Sequence, residues 1–106
     1  MTTEFFAKIA CIEKMLSSNL AKIDKITQAS KQLSGLDITD LPLIAKRTIE
    51  GHLIIINQIV SKNRIKTFDD YRWISEKHLN QIVNNLKAIC QCVSLHSPMA
   101  NFVQLH

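Results

Sequence analysis

Glycine and proline are scarce in this chain, two of each in 106 residues. Sheet proteins call for turn residues roughly every 8 to 12 positions, so the scarcity excludes a succession of short strands and leaves a few long helices. Cysteine is also sparse, and its count is odd, three residues at Cys11, Cys90 and Cys92. An odd count gives no closed disulfide framework, and the reading is a cytoplasmic protein in a reducing compartment. An uninterrupted apolar span is lacking too. The best membrane candidate, Leu43 to Val60, contains Lys46, Arg47, Glu50 and His52, which rules out a simple membrane-spanning helix. The opening Met-Thr-Thr-Glu-Phe-Phe shows no basic segment followed by an apolar core, so no secretory signal is expected. There is no glycine-rich phosphate loop, no His-Glu-x-x-His and no nucleophile elbow. An enzyme is therefore the minority reading, and no cofactor or metal is assigned.

What the chain does have is aliphatic residues at helical spacing. The stretch Gly51 to Val60 holds a run of large aliphatics, Leu53 to Ile56, with Ile59 and Val60 one turn on. Consecutive apolar residues cannot share one face of a helix. This stretch is therefore expected to be a central helix, covered from more than one side by the amphipathic stretches before and after it. Before it, Phe5, Ile9, Ile12, Leu16, Ile23, Ile26 and Leu33 follow steps of four and three, with Asn19 and Ser30 in the vacant slots. That is a heptad seam of about four repeats, a helix roughly 45 Å long. Phe6, Met15 and Leu20 broaden its apolar face. Ser34-Gly35 ends it, with Gly35 as a left-handed cap. Thr39 or Asp40 caps the second helix, with Pro42 in its first turn. Gly51 marks a place where two helices approach closely. Thr67 caps a third helix running to about Leu95, with Asp69 and Asp70 in its first turn. Ser97-Pro98 stops it, and the tail from Met99 can add a turn or two that packs Phe102, Val103 and Leu105. The expected fold is all-α: one domain, residues 1–106, an antiparallel bundle of three long helices with room for a short fourth at the C-terminus.

The net charge is +4. It divides as +2 up to Leu33, −1 from Ser34 to Ser61, +3 from Lys62 to Thr67, and 0 beyond. Lys62, Arg64 and Lys66 thus form a basic connector, followed by Tyr71, Arg72 and Trp73. Three positive charges with aromatics one turn on are suited to gripping a phosphate backbone and stacking on a base. The plainer reading is a solvated loop. Asn19 and Ser30 in an apolar seam point instead to a position that fixes register or oligomeric state, and Trp73 joins them as an interface candidate. A three-helix seam leaves space for a helix from a second copy or another protein.

Two further groups carry chemistry. Cys90-x-Cys92-x-x-x-His96 has metal-like spacing, but the two thiols diverge by about 200° on a helix. Core packing is the simpler reading. Arg72 and His78 resemble the loose Arg-x(4–6)-His signature of HEPN-type ribonucleases, helical domains that act as dimers. The resemblance implies a phosphate-holding Arg72 and an acid–base His78, although the intervening Trp73-Ile74-Ser75-Glu76-Lys77 lacks the polar residue common after the Arg. At the level of composition alone, the long glycine-poor helices also resemble polymer-granule phasins. The expectation is a non-enzymatic helical interaction protein (an adaptor, chaperone or effector-like module) that self-associates as a homodimer or pairs with another helical protein. The alternatives are a nucleic-acid-binding regulator using Lys62, Arg64, Lys66 and Arg72, and a small helical ribonuclease.

Overall fold

The computed structural model of the protein describes residues 3–96. The tail from Met99, expected to pack Phe102, Val103 and Leu105, lies outside the described residues. Four α-helices and one short 3-10 helix follow in order: α1 (Thr3–Leu16), α2 (Lys22–Ser34), α3 (Leu43–Lys62), the 3-10 helix Phe68–Trp73, and α4 (Glu76–Leu95). There is no strand among the described residues. All-α is therefore correct, while the expected long first helix is two helices.

The break falls at Ser17-Ser18-Asn19. The Ser18 hydroxyl donates to the Met15 carbonyl at 2.6 Å and accepts from the Leu20 N–H at 3.3 Å. Side-chain bonds of this kind compete with the helical ladder, which is why Ser and Asn favour helix ends. The apolar positions on either side keep their expected roles. Ile9, Ile12, Leu16 and Ile26 are buried, and Phe5, Ile23 and Leu33 are half-buried against the core. Asn19, by contrast, lies exposed in the turn and occupies no seam.

The third helix also begins later than expected. Thr67 leads into the 3-10 helix, whose Asp70 carboxylate accepts the N–H groups of Lys66 and Thr67 at 2.8 and 3.0 Å. These bonds hold Asp70 below the usual carboxylate range. Ile74 is extended, and Ser75 then caps α4 by accepting the His78 N–H at 3.3 Å. α3 starts at Leu43, with Pro42 as its extended capping residue. Thr39 serves a tighter local purpose, its N–H donating to Asp37 at 2.9 Å. Gly35 closes α2 at φ −91°, not in the left-handed region.

The centre of the molecule is α4 and not α3. α1, α2 and α3 each pack on α4. Leu79, Ile82, Val83, Leu86, Ile89, Cys90, Cys92 and Val93 bury α4 over about half of its circumference. α3 runs antiparallel to α4: Cys92 Sγ meets the Ala45 carbonyl at 3.7 Å, and His52 Nδ1 meets Asn85 Oδ1 at 2.9 Å. The start of α2 meets the start of α4 through a Lys22–Glu76 ion pair. Toward the other end, Ser94 Oγ donates to Glu13 of α1 at 2.6 Å. The run Leu53–Ile56 therefore covers α4 from one side and is not itself enclosed.

Candidate interaction surface

α3 packs one side against α4, and its other sides mix exposed aliphatics with the exposed Arg47, Glu50, Asn57 and Gln58. Ala45 and Ile49 are buried on α4 and Ile56 is half-buried there. Leu43, Ile44, Leu53, Ile54 and Ile55 are exposed, Ile44 to 70% and Ile54 to 57%. Single surface aliphatics need no explanation, but five on one helix, Leu53 toward one flank and Ile44 and Ile55 toward the other, mark it as a candidate interface.

One flank of α3 borders a groove. α2 contributes Ser30, Leu33 and Ser34, α3 contributes Ile49, Leu53, Ile56, Asn57 and Val60, and α4 forms the floor with Leu86, Ile89 and Val93. Phe68 and Tyr71 stand at one end, their rings stacked at 6.1 Å between centroids, with the Lys31 ammonium 5.6 Å from the Phe68 ring. The cavity is about 440 Å³ and mostly apolar in its lining. The groove exists because α2 and α3 both rest on α4 without closing over it. Ser30, expected in a helical seam, is half-buried at its edge. The groove had a sequence signal, the aliphatic run Leu53–Ile56 on α3. That signal reads as burial within the chain unless the place of α4 is known.

The opposite flank of α3 carries Ile44, Thr48, Gly51 and Ile55, all exposed. A methyl group placed on Gly51 meets no atom within 4 Å. The close helix approach expected at Gly51 is thus absent within the chain. The Thr48 hydroxyl donates to the Ile44 carbonyl at 2.9 Å, so its hydrogen bond is met along the helix.

The basic connector is ordered by its backbone. Arg64 has φ 54°, the left-handed region. Its N–H donates to the Ser61 carbonyl at 3.1 Å, and the Ile65 N–H donates to that of Val60 at 3.0 Å. This pair of bonds is a Schellman motif, in which glycine is the usual left-handed residue. Lys62, Arg64, Lys66 and Arg72 are all exposed, and Arg72 lies 3.9 Å from the Asp69 carboxylate. Trp73, next to Arg72 in the chain, is 86% exposed.

The remaining candidates do not converge. Cys90 is fully buried, and desolvation, with the Glu13 charge adding to it, pushes its thiol up to about 12. Cys92 is likewise buried and raised by desolvation. Both thiols pack in the core, and no group of three or more His, Cys, Asp or Glu side chains able to hold a metal occurs among the described residues. Arg72 and His78 sit on different elements, Arg72 in the 3-10 helix and His78 in the first turn of α4. His78 Nδ1 lies 3.4 Å from the Asn63 amide nitrogen, while Arg72 faces Asp69. Among the described residues no helix is long and apolar enough to cross a membrane. Comparison with known protein families, with curated proteins and with solved structures finds no match.

Proposed function

We propose that the protein is a non-enzymatic helical interaction module that works as a self-associated assembly in a reducing compartment. The observation that carries this reading is the exposure of Leu43, Ile44, Leu53, Ile54 and Ile55 on α3. Leaving such a helix in water forgoes about 25 cal/mol for each Å² of apolar surface that a partner would cover. The groove between α2 and α3 adds a second apolar surface of the form that receives the apolar face of an amphipathic helix. A protein stabilised by its own second copy unfolds at a temperature that rises with concentration, because dissociation accompanies unfolding. Thermal unfolding over a hundredfold range of protein concentration is expected to show that rise. A midpoint that does not move with concentration would overturn self-association.

A second reading rests on Trp73, whose exposure next to Arg72, with Lys62, Arg64 and Lys66 preceding it in the chain, fits base stacking over a phosphate-gripping connector. In that case a fluorescently labelled single-stranded oligonucleotide binds with an affinity that falls steeply with salt. Absence of binding at low salt removes this reading.

A further inference from the structure

Resting on the self-association just proposed, we infer that the flank of α3 formed by Ile44, Thr48, Gly51 and Ile55 is a two-fold interface, paired antiparallel with the same flank of a second copy. The four residues project within an arc of about 60° on the helix. This arc faces away from the groove, whose α3 wall is Leu53, Asn57 and Val60. Their order is large, short, short, large, at spacings of four, three and four. The pattern is symmetric about the midpoint between Ile49 and Glu50. Antiparallel pairing about that midpoint sets each Ile44 against Ile55 of the second copy and each Thr48 against its Gly51. A two-fold interface requires this self-complementarity, since residue i meets j wherever j meets i.

Two observations on this flank agree with close pairing. Gly51 is unfavourable in a helix interior, and the open space around it shows that no packing within the chain demands it. A helix from outside, approaching closely, gives the missing side chain a purpose, because helix separation is set by the side chains at the contact. Thr48 can be buried without orphaning its hydroxyl, which is already bonded to the Ile44 carbonyl.

The test is mass by light scattering on the full chain and on variants Gly51→Leu, Ile44→Glu and Ile55→Lys. All three positions are exposed in the monomer, and circular dichroism checks that each variant keeps its helix content. Wild type is expected as a dimer and each variant alone as a monomer. Mixing Ile44→Glu with Ile55→Lys is expected to restore a dimer, since antiparallel pairing sets the new Glu against the new Lys. A monomeric wild type would overturn both this inference and the self-association beneath it. A dimeric wild type with Gly51→Leu still dimeric would overturn this interface alone, as would failure of the two charged variants to pair on mixing.

Discussion

Arg64 occupies a backbone position that L-residues with a side chain adopt at a cost of about 1–2 kcal/mol, at φ 54°. Replacing it by glycine removes that strain while keeping both hydrogen bonds of the helix end. Arg64→Gly is expected to raise stability by about 1 kcal/mol, read as a higher denaturant midpoint with an unchanged slope. Cys90 offers a second residue-scale test. Its folded-state thiol titrates at about 12, above the ordinary value of 9.0, because burial disfavours the thiolate. A group raised in this way contributes stability that is complete below the ordinary value and is lost as pH climbs toward the folded one. The buried Cys92 and Tyr71 are raised for the same reason and act in the same direction. Stability is therefore expected to decline from about pH 9 upward, and Cys90→Ser should lessen that decline. In the native protein at pH 8, the exposed Cys11 is expected to react with a thiol reagent, and the buried pair only after unfolding.

At the scale of elements, the exchange of roles between α3 and α4 has a direct consequence. Ile82 on α4 is 1% exposed and Ile54 on α3 is 57% exposed. Ile82→Ala is expected to cost roughly 2–5 kcal/mol in chemical denaturation, and Ile54→Ala less than about 0.5 kcal/mol in the monomer. The reverse order would restore α3 as the centre. The helical spacing of Ile9, Ile12, Leu16, Ile26, Ile82, Leu86 and Ile89 was legible, because burial of one helix face imposes its period directly on the sequence. Which helix lies at the centre was not legible. Leu53–Ile56 reads as a buried run by composition, and only the packing of three helices on α4 shows Leu53, Ile54 and Ile55 exposed. The break after Leu16 was hidden because Asn19 falls on a heptad position, so a continuous seam and an interrupted one share the same spacing. The Ser18 hydroxyl bonds decide between them. The basic connector was visible as charge, but its left-handed Arg64 was not, since neither glycine nor asparagine stands there to announce it.

For the molecule as a whole, α1, α2 and α3 pack on α4, and α3 leaves aliphatics exposed, with a groove on one flank and the Ile44–Gly51–Ile55 stripe on the other. An assembly through that stripe would leave the groove of each copy free, so that self-association and recognition of a partner occupy separate flanks of one helix. Such an assembly depends chiefly on apolar contact, which moderate salt does not screen. The measurement that tests this most directly is the solution mass by light scattering on a sizing column, at low and at moderate salt. Twice the 12.1 kDa chain mass is expected at both salt concentrations. A mass of one chain at both, or a larger species that dissociates once salt is raised, would contradict it.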